Sequence, residues 1–311
     1  MTFKLAVYHK SVPNKKNFEK TQMLQLAGLG AKSLGDTVIN VENYTPVTCD
    51  VAVIQGWVAA DVQRPHLALR NAVINRQLTA HRYVLTADSN LFLYANTDNP
   101  LHYLRYSFNG VFPKTGIYFD TPVDPIRWKK ISQDLKITIK DYRTVGQHIL
   151  VCLQRNNGWS MGGYSVADWA RSTIQQLRQH TDRPIVLRTH PGDQKSHMYL
   201  QTLINTQDQL NFKFSNHIKI QDDLHNCWAA VNHNSSPAVA AAIEGVPVFV
   251  TDPDRSQCQE IANTDLSKIE QPFCADRTRW LNRIAMSHWK FDELRSGEAW
   301  AHMRQFVRGT A

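Results

Sequence analysis

The sequence predicts an α/β protein of two doubly wound domains that face each other across a cleft. Three observations predict this fold. The chain has 311 residues, enough for two domains at about 100–200 residues each. Short apolar strands alternate with helical segments, as in parallel sheets covered by helices. An irregular stretch with many aromatic residues and turn signals interrupts this alternation, which then restarts.

The first half of the chain carries four predicted strands and two predicted helices. Apolar or β-branched runs predict strands at residues 3–8, 37–41, 51–54 and 83–86. Helical spacing predicts helices at 18–34, which stops near Gly35, and at 67–82. Residues 88–142 form the irregular stretch, and we place the domain linker in or just after residues 120–128.

The second half repeats the same alternation. Strands are predicted at residues 148–153, 185–188, 218–220, 228–232 and 246–251. Helices are predicted at about 166–180, from an Asp193 cap to about 204, and from Ser235 and Ser236 to Gly245. The tail at 279–307 is helical and rich in Trp. We therefore assign domains to residues 1–142 and 143–278, with C-terminal helices at 279–311 that pack back across the domain interface.

Composition excludes several classes of protein. The chain is 42% hydrophobic and contains 8 Trp, 10 Tyr and 12 Phe, too much apolar surface for a disordered protein. Its apolar runs fall far short of the ~20 residues that cross a bilayer. Five widely spaced cysteines without a Cys-x-x-Cys pair suggest neither a zinc site nor a disulfide framework. We expect reduced thiols and a cytoplasmic location, because residues 1–10 form a strand rather than a secretion signal.

The net charge permits a polyanionic partner. Lys and Arg number 35 against 27 Asp and Glu, which gives +8. Nucleic acid is one such partner, although charge alone favours a solvated surface with a small excess of lysine.

The segment 232–250 carries the clearest site prediction. Ser236 can cap a helix and Pro237 fits its first position, so the helix N-terminus presents free amides and the hydroxyls of Ser235 and Ser236. Such an end at the carboxyl edge of a sheet binds phosphate or diphosphate. Glu244, about two turns on, could accept hydrogen bonds from a ribose. Alternatively, the serines only cap the helix and Glu244 is a solvated charge.

Two further elements are predicted on the same edge. Arg188 and His190 follow the strand at 185–188 and could donate charge-assisted hydrogen bonds to phosphate oxygens. The glycine-bearing loop at 155–163 would let backbone amides approach a ligand, with Arg155 as an additional cation. The loop matches neither the Walker pattern nor the dinucleotide fingerprint.

The pairing of His190-Pro191 with Ser235-Ser236 resembles the His-Pro and Ser-Ser motifs of bacterial sialyl- and Kdo-type transferases, which are GT-B glycosyltransferases. The resemblance covers residues 148–250 by motif. It implies two Rossmann-like domains, the C-terminal one holding a UDP- or CMP-linked nucleotide-sugar. It also implies that the histidine and serines contact the donor phosphates and that no metal or further cofactor is required.

Several short sequence segments also resemble bacteriophage glycosyltransferase-like proteins. They begin at Arg105, Leu153, Thr181 and Leu294. This resemblance implies transfer of the sugar to a hydroxymethylated pyrimidine of double-stranded phage DNA, in the host cytoplasm.

The reaction would displace a nucleotide from the sugar's anomeric carbon, and the acceptor hydroxyl needs a base. We expect the base at the carboxyl end of a strand in the N-terminal domain, and rank Asp88 first, Asp120 second and His9 third. Each of them, taken alone, is more commonly a surface or capping residue.

Three alternatives remain. The acceptor could be a polysaccharide or a lipid-linked glycan. A nucleotide-sugar epimerase of the same fold would need paired carboxylates near the donor, which we do not identify. A non-catalytic nucleic-acid-binding protein would depend on its lysines and not on Arg188, His190 or Ser236.

Overall fold

The computed structural model describes residues 2–13, 18–58, 63–92, 100–156, 158–193 and 196–307. The chain divides into two compact units. In its described residues, the first unit comprises Met1–Asn90, Asp98–Leu135 and Leu281–Ala311, and Lys136–Trp280 makes up most of the second.

The strands of the described residues are, in chain order, β1 (Lys4–Tyr8), β2 (Thr37–Val41), β3 (Val51–Gln55), β4 (Tyr83–Asp88), β5 (Leu104–Phe108), β6 (His148–Cys152), β7 (Ile185–Arg188), β8 (Phe212–Phe214), β9 (Cys227–Asn232), β10 (Val248–Val250) and β11 (His288–Trp289). The α-helices of the same residues are α1 (Phe18–Ser33), α2 (Pro65–Thr79), α3 (Pro125–Asp134), α4 (Val166–Arg178), α5 (Ser196–Tyr199), α6 (Gln201–Ile204), α7 (Gln207–Leu210), α8 (Ile220–Leu224), α9 (Pro237–Ile243), α10 (Thr278–Ala285), α11 (Phe291–Ser296) and α12 (Glu298–Met303). No helix in these residues is both long enough and apolar enough to span a membrane.

The sheet of the first unit has the strand order β11-β5-β4-β3-β1-β2 over the described residues. Strands β1 to β4 are parallel, whereas β5 pairs antiparallel with β4 and β11 antiparallel with β5. Buried apolar side chains of β1, β3 and β4 pack against α1 on one face of the sheet and against α2 on the other. Continuous apolar strands of this kind are typical of sheets that are covered on both faces.

The C-terminal segment from Leu281 onward belongs to the first unit. Trp300 is buried, and its indole Nε1 donates to Asp36 Oδ2 at 2.6 Å. Arg127 forms two 2.7 Å hydrogen bonds to the carboxylate of buried Glu293 and stacks over Trp289 at 3.8 Å. Burial alone would raise the pKa of Glu293, but hydrogen bonds from Arg127 and Lys130 lower it to about 2. The last helices are therefore held to the first sheet by apolar packing and by buried charge pairs.

The sheet of the second unit is entirely parallel in its described strands, in the order β10-β9-β6-β7-β8. Helix α4 presents Ala167, Ala170, Ile174 and Leu177 to its core. The small residues Ala238–Ala242 of α9 are buried as well. From β6 the chain moves outward through β7 and β8, and then returns to place β9 and β10 on the other side of β6. This is the doubly wound order of a Rossmann-like sheet.

Three sequence predictions differ from this structure. Residues 218–220 were predicted as a strand, but Ile218 is 94% exposed and α8 begins at Ile220. The edge strand is instead β8, whose three residues are too few to show a pattern. The helix predicted from Asp193 to about 204 is divided into α5 and α6. The antiparallel strand β5 lies within the stretch that we described as irregular.

Candidate functional site

The topology of the second unit identifies where a ligand would bind. The chain winds in opposite directions from β6 and from β9, and a doubly wound sheet has its binding crevice where the winding reverses, at the carboxyl ends of the strands. The residues that follow β6 and β9 are therefore the candidates. They are the described residues of the loop 153–163 and of the segment 233–236, together with Asn232 at the end of β9.

Hydrogen bonds join these two loops. Gln154 Oε1 accepts from the backbone amide of Asn234 at 3.1 Å, and Gln154 Nε2 donates to Ser160 Oγ at 2.8 Å. The side chain of Asn234 donates to the carbonyl of Ser160 at 2.8 Å and to Asp252 Oδ2 at 3.0 Å. Arg255 Nε donates to the same carboxylate oxygen at 2.7 Å. Side chains from three loops thus fix the walls of the crevice.

Next to this satisfied network lies a run of unsatisfied groups. Asn232, the last residue of β9, is fully buried, and neither Oδ1 nor Nδ2 has a hydrogen-bond partner among the described residues. Buried His233 Nε2 and Ser235 Oγ also lack partners there. Buried polar atoms are ordinarily hydrogen-bonded. Three of the four residues 232–235 thus have polar side-chain atoms without a partner in the described part of the chain, and a polar ligand could form hydrogen bonds with these atoms.

The ring of His233 is held from its other side. Its Nδ1 lies 2.8 Å from Thr251 Oγ1, which also accepts a 2.8 Å hydrogen bond from Trp169 Nε1. The Nε2 atom lies 3.6 Å from Asp252 Oδ2, beyond hydrogen-bond distance. Burial lowers the pKa of His233, so the ring is neutral at pH 7.

The predicted helix after β9 is present as α9. Pro237 occupies its first turn, and Gly245 follows it with a φ of +74°. Ser236 is at the N-cap position and exposed, but its αR backbone conformation leaves its hydroxyl without a capping hydrogen bond. Glu244 lies at the opposite end of α9, about 10 Å from the first turn by helical rise, where its carboxylate pairs with Lys140. The structure therefore groups Ser235 and Ser236 with the crevice and places Glu244 apart from them.

Arg155 and His190 come together at the same edge. The guanidinium of Arg155 lies against Gly192, and Asn156 N donates to Asp193 Oδ2 at 3.2 Å, so the loop after β6 contacts the turn after β7. Gly192 N donates to His190 Nδ1 at 3.0 Å. Burial and the charge of Arg155 lower the pKa of His190. A neutral ring with an accepting Nδ1 carries its proton on Nε2, which makes His190 a hydrogen-bond donor.

Arg188 has a different role in the structure. Its Nη1 pairs with Asp223 and donates to the carbonyl of His217 at 3.0 Å, and its Nη2 donates to the carbonyl of Ile218 at 2.7 Å. Asp223 is 2% exposed and also accepts from Ser215 Oγ at 2.5 Å. The guanidinium thus holds the loop after β8 and neutralises a buried carboxylate.

The three candidate bases lie in the first unit and are not brought together. Asp88 ends β4 and pairs with Arg105 at 2.8 Å. His9 follows β1, with Nε2 3.0 Å from Asn40 Oδ1. Both lie at the carboxyl edge of the sheet. Asp120 pairs with Arg283 and lines a cavity of about 710 Å³ near Tyr83, at the start of β4 and thus at the opposite edge.

Sequence reasoning missed Gln154, Asn232 and Asp252. Asn232 and Gln154 are polar residues at the ends of otherwise apolar strand runs, which is the signal that could have identified them. Asp252 and Asp254 form an Asp-x-Asp sequence that was not among the predicted site residues. In the structure, Asp252 is engaged by Asn234 and Arg255. The described residues contain no group of three or more His, Cys, Asp or Glu side chains arranged to hold a metal ion.

Comparison with solved structures shows the fold. A β-Kdo 2,4 transferase, KpsC of Thermosulfurimonas dismutans, matches with a TM-score of 0.55 at 12% identity, over 92% of this chain and 90% of that chain. The β-Kdo 2,7 transferase of the same KpsC matches with a TM-score of 0.52 at 10% identity, over 98% and 100% of the two chains. A Methanocaldococcus jannaschii UDP-GlcNAc 2-epimerase reaches a TM-score of only 0.37 at 10% identity, over 98% and 100% of the chains, too low for a functional comparison. No family model matches the sequence, and no curated protein matches it significantly.

These similarities confirm the predicted fold class, an α/β fold of the GT-B type. Each unit has helices packed on a sheet of parallel strands, and antiparallel β5 and β11 extend the sheet of the first unit.

Proposed function

We propose that the protein is a glycosyltransferase that moves a sugar from a UDP- or CMP-linked donor to a hydroxyl acceptor, and that the donor binds at the β6–β9 crevice. The unsatisfied polar atoms of Asn232, His233 and Ser235 carry this proposal. A buried polar group without a partner costs about 1–3 kcal/mol. A nucleotide offers both donors and acceptors and would satisfy such groups when it binds.

The neighbouring residues suit the chemistry of a departing nucleotide. Negative charge grows on the phosphate as the bond to the anomeric carbon breaks, and preorganised donors stabilise it. His190 offers Nε2–H from a neutral ring, and Arg155 offers a permanent positive charge beside it. The exposed hydroxyl of Ser236 could supply a further donor. We propose that these groups stabilise the departing phosphate without a metal ion.

For the acceptor we propose a hydroxymethylated pyrimidine of double-stranded DNA, in the cytoplasm of a phage-infected host. The net charge of +8 supports a polyanionic acceptor. Asp88 or His9, both at the carboxyl edge of the first unit, would take the proton of the acceptor hydroxyl. A glycan acceptor is the second candidate, because two similar structures, with TM-scores of 0.55 and 0.52, are Kdo transferases.

Thermal unfolding with a panel of nucleotides tests the donor site. We expect UDP or CMP to raise the melting temperature and GDP, ADP and TDP to leave it unchanged. A ligand at 100 times its Kd stabilises the folded state by about 2.7 kcal/mol. Ser235→Ala and His190→Gln should remove the shift. Ser172→Ala, an exposed site on α4, is the matched control and should retain it.

Absence of a nucleotide shift in a protein that unfolds cooperatively would contradict the proposal and favour a nucleic-acid-binding protein. With the donor base identified, mass spectrometry of hydroxymethylated duplex DNA and of glycans incubated with sugar donors would separate the two acceptors.

A further inference from the structure

The first unit has a binding crevice of its own. In the sheet order β2-β1-β3-β4, the chain winds in opposite directions from β1 and from β3. The crevice of such a sheet lies at the carboxyl ends of these two strands. Ser11 follows β1, and Gln55 is the last residue of β3.

A buried arginine of α2 occupies this crevice. Arg70 is 6% exposed. Its Nε donates to the carbonyl of Ser11 at 2.8 Å, and its Nη2 donates to Gln55 Oε1. Gln55 N in turn donates to Ser11 Oγ at 3.1 Å. The side chain is therefore fixed by neutral partners from both strands of the crevice.

The charge of Arg70 is not neutralised locally. In the part of the chain that the structure describes, Arg70 forms no ion pair. Asp88 is close enough to influence it, but the carboxylate of Asp88 is bound by Arg105, whose side chain is 7% exposed. Among the described residues, the carboxylate of Asp88 therefore pairs with Arg105, and Arg70 has neutral hydrogen-bond partners only. Burial lowers the pKa of Arg70 to about 10, so the group still carries its charge at neutral pH.

One edge of this guanidinium has no hydrogen-bond partner in the part of the chain that the structure describes. Nη1 of Arg70 makes no hydrogen bond within the described residues, and Gly56 lies beside it with a φ of +68°. A Cβ atom at Gly56 would lie 3.0 Å from Nη1. The absence of a side chain at this position leaves space next to the free N–H groups. A buried cation with unused donors is suited to an oxyanion.

We propose that Arg70 binds the carboxylate of an acidic sugar in the acceptor. The proposal rests on the proposed sugar transfer, and it favours the glycan acceptor over the DNA acceptor named above. Because Arg70 is recessed, a single carboxylate on a small sugar ring can reach it, whereas the phosphates of a rigid duplex are met by protruding cations. An acidic glycan therefore fits this site better than DNA does.

Thermal unfolding with glucuronate, at matched ionic strength against chloride and with neutral glucose as reference, tests the site. We expect glucuronate to stabilise the wild-type protein and glucose not to. Arg70→Gln should weaken the apparent affinity about tenfold or more, as expected for a lost hydrogen bond to a charged group. Arg76→Gln removes the same charge from the last turn of α2, where Arg76 bonds to Pro46 and Thr48, and should leave the glucuronate shift unchanged.

A second measurement covers the case in which Arg70→Gln does not fold. Side-chain NMR of the ¹⁵N-arginine-labelled wild-type protein, with Arg70 assigned through Arg70→Lys, should show its Nε–H resonance moving with glucuronate. Equal glucuronate shifts in wild type and Arg70→Gln, or an unmoved Arg70 resonance, overturn the proposal. An Arg70-dependent shift with dimethyl phosphate but not with glucuronate overturns it in favour of a DNA backbone. The rise in melting temperature with nucleotide is measured separately, so a negative result with glucuronate would not contradict the proposed donor site.

Discussion

Replacing Asn232 by Leu should make the free protein more stable and at the same time impair nucleotide binding. The two side chains have the same number of heavy atoms and the same branching, and Asn232 is fully buried at the end of β9 with neither side-chain polar atom hydrogen-bonded within the described residues. The substitution removes an unsatisfied amide, whose burial costs about 1–3 kcal/mol. For a unit of this size, that gain corresponds to a rise in melting temperature of roughly 3–9 °C.

The assay is thermal unfolding of wild type and Asn232→Leu, each with and without the nucleotide that binds. Asn263→Leu is the matched control, because the side chain of Asn263 bonds to the carbonyls of Val248 and Phe273 and accepts from Phe273 N. The control should lose stability and keep the nucleotide shift. If Asn232→Leu instead lowered the melting temperature of the free protein and left the nucleotide shift intact, Asn232 would be a structural residue and the reasoning would be refuted.

Three further predictions concern stability. Burial lowers the pKa of His288 to about 3, whereas a His in the unfolded chain titrates near ~6.5. The contribution of neutral His288 to the unfolding free energy is therefore complete above pH ~6.5 and is lost at roughly 1.4 kcal/mol per pH unit as the pH falls toward 3. His288→Gln should flatten the pH dependence of the unfolding free energy in urea between about pH 7 and pH 5, and an unchanged slope would contradict this. Gly245→Ala should lower the unfolding free energy in urea by about 1–3 kcal/mol or more, since its Cβ would lie 2.0 Å from the carbonyl of Asp141. Gly35→Ala, at a φ of +83° and with no atom within 4 Å of its Cβ, should show only the smaller cost of a left-handed backbone. Equal losses of stability would count against the steric argument. Arg188→Met should lower the unfolding free energy by about 3–5 kcal/mol, because it leaves Asp223 buried and unpaired. Adding Asp223→Asn should restore most of that loss and keep the nucleotide-induced rise in melting temperature. Loss of that rise in the stable double variant would assign Arg188 to the donor site instead.

The strands were predictable wherever apolar and β-branched residues follow one another between turn residues. The predicted bounds of β2 and β7 agree with the structure, because a run of β-branched and apolar residues between turn residues has few other solutions. Short or one-sided elements gave weaker signals. In β8, Phe212 and Phe214 flank one lysine, and three residues cannot establish a period. Strand β5 contains the buried polar residues Arg105 and Ser107, which interrupt its apolar run; Arg105 bonds to the carbonyl of Val111 and to Asp88, and Ser107 bonds to the carbonyl of Gly110.

The candidate site was predictable as a location but not as a set of interactions. Local sequence identified α9, its proline start and the turn that contains His190. It could not show that Arg188 forms an ion pair with Asp223, since 35 residues separate them in the chain and only the fold makes them neighbours. The same limit applies to Asn232, because a buried amide reveals its unused atoms only when every surrounding partner is known.

The two crevices differ in chemistry, and the difference follows from which groups each leaves unsatisfied. The second unit leaves an amide, an imidazole nitrogen and a hydroxyl, which are uncharged and include both donors and acceptors. Such a set suits a ligand with many polar atoms, such as a nucleotide. The first unit leaves the N–H groups of a buried guanidinium, which can only donate and carry a charge. That crevice suits an anion. In each unit the free protein retains an energetic cost that a ligand would relieve, so substitutions that stabilise the free protein at Asn232 should be the ones that weaken binding.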